Sequence, residues 1–152
     1  MINPKKKIYL QEIGKIYNKK LKNLEKGLKK RFKRFNLSIS ISEENFPLSE
    51  HEYKKQRKQY DGSKILNRLI HHPIEKKYFR TLGVLDVDIY SDGLNFVFGI
   101  ATPPNCKETT DSGVSILSVS RLREEFYNNT KDEELFRKRI LKEAVHELGH
   151  TF

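Results

Sequence analysis

Five residues close to the end of the chain, His146, Glu147, Leu148, Gly149 and His150, spell H-E-x-x-H in a stretch that no proline or glycine interrupts from Thr130 to Leu148. That pattern asks for a helix. Residues four apart on a helix lie about 40° apart around the axis and one turn along it, so both imidazoles can reach one tetrahedral Zn²⁺. Glu147 sits about 100° round from His146, where its carboxylate can stand beside a water on the ion without ligating the metal.

Zinc lowers the pKa of such a water to roughly 7, so the carboxylate can take its proton as the water attacks a peptide carbonyl polarised by the same ion. Leu141, Val145, Leu148 and Phe152 recur at i, i+4, i+7 and i+11, an apolar stripe roughly opposite the histidines. A helix packed through that stripe is expected to aim His146 and His150 into a groove. Thr130 is expected to cap it, with Glu133 reaching back from three residues on. The competing reading of the five residues alone is a chance match, with two merely exposed or hydrogen-bonded histidines. The capping, the amphipathic phase and the position after a mostly parallel sheet favour the metal site.

Upstream, Lys7 to Ile13 alternate as a strand. A Lys-rich segment after Gly14 then carries Ile16, Leu21, Leu24, Leu28, Phe32 and Phe35 on a helical period. Leu37, Ile39 and Ile41 alternate with serines as a second strand, which favours a right-handed parallel crossover. Residues 43 to 62 read as a long polar loop, and Ile65, Leu66, Leu69 and Ile70 as a short helix ending before Pro73. Val84 to Tyr90 and Leu94 to Ile100 read as two strands joined by a tight turn at Asp92-Gly93. Val114, Ile116 and Val119, interleaved with serines, read as a last strand whose serines suit an edge facing water. The order of elements points to an α/β fold.

Composition sets bounds on partners and compartment. At 152 residues the chain is expected to form one domain, and 36% hydrophobic residues with nine Phe and seven Tyr suffice for a core. The formal charge of +10 keeps a second function class open, a non-catalytic basic protein that binds nucleic acid or another polyanion. The excess sits in Lys5 to Lys7, Lys19 to Arg34 and Lys54 to Lys58, spaced as solvated faces rather than as one aromatic-interleaved platform. The basic start is followed by only three apolar residues, Ile8 to Leu10, and no apolar run approaches a membrane span, so a cytoplasmic protein without a membrane partner is expected. Cys106 is the only cysteine, which excludes an internal disulfide and a cysteine-rich zinc knuckle within these residues.

Other chemistry-bearing residues carry less. His71 and His72 point apart on a helix and read as a surface pair. Asp86 and Asp88 share one strand face, where a cation site or an acid and base pair is conceivable and a structural role at the strand edge is the expectation. Gly83, Gly93 and Gly99 have no phosphate-binding spacing, and no serine or cysteine nucleophile signature appears.

Beyond the zinc motif, the chain resembles the archaemetzincins, a metzincin-like family of zinc peptidases. Leu82-Gly83-Val84, Asp86 to Tyr90 and Gly93 to Gly99 resemble that family's central strand pair. Arg57, Gln59-Tyr60 and Ser63 to Leu66 resemble its upstream segment, and Lys142 to Phe152 its active-site helix. The resemblance runs from about Pro47 to the end. It implies a zincin-like, metzincin-type fold: a twisted, mainly parallel sheet with an antiparallel edge strand, packed by helices and ending in the active-site helix. It further implies His146 and His150 as zinc ligands, Glu147 as general base, a peptide or protein substrate, and Val114 to Ser120 as the edge strand along which an extended peptide pairs. A zincin class whose third ligand is a glutamate further along shares the five-residue motif, and the strand block speaks against it. The longer family pattern, H-E-x-x-H-x-x-G-x-x-H, continues past Phe152 with a glycine and a third histidine. A cysteine-rich second zinc site and a methionine-containing turn follow in the family. Residues 1–152 are therefore expected to form one zincin-like catalytic domain without its C-terminal subdomain, inactive as it stands.

Overall fold

Among the described residues the alternating and helical runs assemble into two sheets and three α-helices. In the computed structural model, which describes residues 6–16, 18–72, 79–102 and 113–151, β1 (Lys6–Ile13) leads through α1 (Asn18–Arg31) to β2 (Leu37–Ile41). After a capped 3-10 turn at Glu50–Glu52 come β3 (Tyr53–Lys54), β4 (Gln59–Asp61) and α2 (Gly62–Ile70). The chain continues through β5 (Arg80–Leu85), β6 (Ile89–Tyr90), β7 (Gly99–Ala101), β8 (Gly113–Ser118) and α3 (Glu133–Gly149). Pro73 and the Pro103-Pro104-Asn105-Cys106 run lie outside the described residues, as do Lys5 and Phe152.

The larger sheet has the order β2-β1-β5-β8-β7, parallel throughout except for β7, which runs antiparallel to β8 at one edge. This is the mixed α/β fold that the order of elements implied. Helices cover both faces, as parallel strands require. Ile8, Leu10, Leu82, Val84 and Leu117 meet α1 and α3 on one face, with Leu21, Leu24 and Leu28 of α1 at i, i+3 and i+7. Ile13, Leu85, Val114 and Ile116 meet Ile65, Leu66 and Leu69 of α2 on the other. Among the described residues no helix is long and apolar enough to cross a membrane.

Several boundaries differ from those the sequence pattern suggests. The polar stretch from residue 43 to 62 contributes β3 and β4, which form with β6 a second, three-stranded sheet. Val84 to Tyr90 is not one strand, because β5 stops at Leu85 and both aspartates beyond it are drawn to arginines. Leu94 to Ile100 pairs only at a Val97 bridge to Ile89 and from Gly99 onwards. The turn before it is as expected, with Leu94 N–H donating to Ser91 O at 3.0 Å and Gly93 at φ +81. The edge strand is the main correction. Val114 to Ser120 is not the edge, since β8 is paired on both sides, Ser115 and Ser118 are buried, and Ser118 Oγ donates to Val87 O. At that end of the sheet the edge strand among the described residues is β7.

Two bidentate ion pairs hold the link between β5 and β6. Arg123 grips Asp86 at 2.7 and 2.8 Å, and Arg121 grips Asp88 at the same distances while stacking 4.0 Å over the Phe96 ring. The structural role expected of both aspartates is the one they have. Burial alone would raise the Asp88 carboxyl, but hydrogen bonds from Arg121 and Gln59 and the charges of Arg121 and Arg57 outweigh it and hold the group below the usual carboxylate range. A depressed carboxyl stabilises the fold above the unfolded pKa, and that stabilisation is lost as pH falls through the folded value. Arg121→Ala is expected to lower unfolding stability by about 2 kcal/mol at neutral pH. Urea titrations across pH should show the deficit shrinking as Asp88 becomes protonated in the parent.

Candidate metal centre

The helix that carries the motif starts later than Thr130. Asp132 is the N-cap, its carboxylate accepting from Leu135 N–H at 3.0 Å, with Glu133 and Glu134 in the first turn against the positive end of the helix dipole. Asp outranks Thr as a cap and brings a charge with it, so the box expected between Thr130 and Glu133 does not form. A capping box does form elsewhere, between Ser49 and Glu52. There the buried Glu52 carboxylate also receives Arg68 of α2 at 2.7 and 2.8 Å.

The rotation of α3 about its axis decides what faces what. Phe136, Ile140, Ala144 and Leu148 lie against the sheet at i, i+4, i+8 and i+12, while Leu141 and Val145 are only half-buried. Leu141 reaches Gly27 of α1, where an added Cβ would stand 3.2 Å from it. The stripe expected from Leu141, Val145 and Leu148 is therefore turned by roughly 90° towards the side of Glu147. Phe152, its last member, lies outside the described residues.

This rotation leaves both imidazoles in solvent and takes the carboxylate inside. His146 and His150 are exposed, their rings 4.4 Å apart and nearly perpendicular at 84°, with Nε2 to Nε2 at 3.0 Å. Two nitrogens bound to one tetrahedral zinc at ~2.0–2.1 Å would sit about 3.3 Å apart, so the pair fits an ion with a shift of a few tenths of an ångström. Both rings lie at the carbonyl end of α3, where the helix dipole favours a cation. Among the described residues no group of three or more His, Cys, Asp or Glu side chains is placed to hold a metal.

Glu147 is only 5% exposed, enclosed between α3 and the first residue of β7. Burial pushes its carboxyl up from 4.5 to about 7, with His146 opposing the rise and Glu143, one turn back, adding to it. A group poised near neutrality is matched to proton transfer. The motif shows which residue this is, but nothing local shows that it is buried, because the enclosing strand lies 48 residues away in the chain.

The remaining candidates do not join this site. His71 Nδ1 lies 2.8 Å from Asn67 O, and His72 sits against the Phe46 ring with Nε2 3.5 Å from a Glu44 carboxylate oxygen. Asp86 and Asp88 are taken by arginines, and Cys106 lies outside the described residues. One turn before His146, Lys142 and Glu143 help Phe98, Arg121 and Tyr127 line an open cleft of about 300 Å³.

Comparison with known proteins gives one consistent answer. A profile described as Peptidase family M54 matches residues 6–152. The archaemetzincin of Pyrococcus furiosus is 35% identical over 147 residues, covering 95% of this chain and 72% of that protein. The archaemetzincin of Pyrococcus abyssi is 41% identical over 103 residues, 68% of this chain and 51% of that protein. Among solved structures, the archaemetzincin of Archaeoglobus fulgidus complexed with malonate superposes with a TM-score of 0.73 at 34% identity, over 95% of this chain and 77% of that one. The archaemetzincin of Methanopyrus kandleri superposes at 0.75 with 32% identity, over 96% and 72%. The chain thus spans between about half and about three quarters of the length of the curated relatives it matches.

The raised Glu147 carboxyl has a measurable consequence in the metal-free protein. Between the ordinary value of 4.5 and about 7 the folded state holds a proton that the unfolded chain releases, so stability falls as pH rises through that window and is level above it. Glu147→Gln, which carries no charge to desolvate, is expected to be more stable than the parent by on the order of 2 kcal/mol at pH ~8 and equal to it below pH ~4. Thermal melts in chelator across pH test this, and parallel profiles for the two proteins would show a solvated carboxylate.

Proposed function

The chain belongs to peptidase family M54, the archaemetzincins, and we propose that it acts in zinc-dependent peptide hydrolysis, with His146 and His150 as metal ligands and Glu147 as the proton carrier. The observation that carries this reading is the pair of exposed Nε2 atoms 3.0 Å apart with a buried carboxylate next to them in sequence. Exposed imidazoles whose Nε2 atoms face each other at 3.0 Å can take an ion between them once the proton they share is released. A desolvated carboxylate near neutral pKa is suited to accept a proton and give it back.

Zinc, when bound, supplies Lewis-acid polarisation of a carbonyl and acidifies the attacking water. The residues of the chain do the rest. Glu147 accepts the proton as the water adds to the scissile carbonyl and delivers it to the leaving amine as the C–N bond breaks. The free side of β7 offers backbone groups to an extended peptide, which would lie across the mouth of the site as an added strand. The neighbouring cleft along Lys142 and Glu143 is the place for a substrate side chain.

Two imidazoles bind zinc more weakly than a three-residue set, and the family pattern puts the third histidine beyond Phe152. Turnover is accordingly expected of protein that includes that third ligand, and weak zinc binding without turnover of residues 1–152 by themselves. In protein with all three ligands, elemental analysis should find zinc, and His146→Ala should release it. Glu147→Ala should keep the metal yet lose peptide cleavage by roughly 10²–10⁴-fold. Absence of zinc with both histidines intact would sink the reading without any substrate assay.

A further inference from the structure

A glutamate side chain has three free torsions, and a base that must meet one water needs them fixed. The first residue of β7 supplies the fixing surface. A Cβ built on Gly99 would stand 2.6 Å from Glu147 Cδ and 2.7 Å from both Cγ and Oε1. Ordinary carbon contacts are about 3.5–4.0 Å, so even a methyl group cannot share that space. The backbone of Gly99 is not in the left-handed region. An alanine there would meet Glu147 first and would not be strained by its own dihedrals.

The strand is anchored to β8 on either side of Gly99 in sequence. Before it Ser118 N–H donates to Phe98 O at 2.8 Å, and after it Thr102 N–H donates to Val114 O at 2.9 Å. Thr102 Oγ1 adds two further bonds to the Val114 backbone, each 3.1 Å. Behind the strand, Ile100 is lodged against Gly62 of α2. On the other side α3 is held by Ala144 and Leu148, both fully buried. A group added at position 99 is relieved only by moving the Glu147 carboxylate.

We propose that Gly99 is a positioning residue whose bare Cα seats the Glu147 carboxylate beside the His146–His150 pair. The strand whose free side would receive an extended substrate thereby also sets the place of the base. This rests on the reading of Glu147 as proton carrier, and the test separates the two.

The seat is tested by a double-mutant cycle on residues 1–152, using urea midpoints of the parent, Gly99→Ala, Glu147→Ala and the double variant. Gly99→Ala should lower the midpoint in the parent and leave it unchanged or raised in the Glu147→Ala background, where the methyl has room. Should Gly99→Ala fail to fold, the double variant must fold. Equal losses in both backgrounds would overturn the proposal. In protein carrying the third zinc ligand, Gly99→Ala should reduce kcat roughly tenfold or more with KM and zinc content unchanged. Ile100→Ala, a neighbour whose side chain is lodged against Gly62 of α2, should lack that kcat-only signature. An unchanged kcat despite coupled stabilities would show a seat that positions nothing. Full cleavage by Glu147→Ala would remove the functional reading, and the positioning role with it, while leaving the stability coupling in place.

Discussion

The rotational setting of α3 on the sheet is the constraint from which the site follows. Phe136, Ile140, Ala144 and Leu148 bury one arc of the helix against β5 and β8, while Leu141 touches α1 at a glycine. With that arc inside, residues four apart at His146 and His150 emerge at the rim, and Glu147, between them in angle and the core, goes under. A quarter turn towards Leu141 and Val145 would expose the carboxylate, and a quarter turn the other way would bury a histidine. Burial of the apolar arc is what resists it, because each side chain removed from water contributes on the order of 1.5–3 kcal/mol.

Polar contacts fix where the helix begins. The 3-10 turns at Ser120–Leu122 and Glu124–Tyr127 carry Arg121 and Arg123 back to Asp88 and Asp86 in the β5–β6 link. Arg139 of α3 then reaches Leu122 O at 3.0 Å and the Glu124 carboxylate at 2.6 Å. These charge-assisted, multidentate bonds are directional where hydrophobic burial is not. They tie the start of the helix to the same sheet against which its far end places the histidines.

A desolvated carboxylate beside a strand glycine is an unfavourable element for folding taken alone. Proteins tolerate such groups where the strain is used, and here it coincides with the residue that the motif marks for proton transfer. The dipole of α3 has a part in the same arrangement, since its negative end lies under the two imidazoles and favours positive charge there.

What the sequence determined by itself was whatever depends on local period. The parallel strand-helix-strand start, the Asp92-Gly93 turn, the helical run to Gly149 and the one-turn separation of His146 and His150 all follow from spacings of two, four or seven residues. The tertiary structure decided the rest, because those features depend on which distant segments meet. Serines at 115 and 118 suggested an exposed edge and are buried between β5 and β7, since a polar side chain in a strand does not say how many neighbours the strand has. Leu141 and Val145 mark a flank that packs only partly, beside the fully buried arc, since a helix wedged between a sheet and another helix has two apolar flanks and the pattern does not rank them. The enclosure of Glu147 by Gly99 was illegible for the same reason: a glycine shows its purpose only through the atom that occupies the space its side chain would have filled.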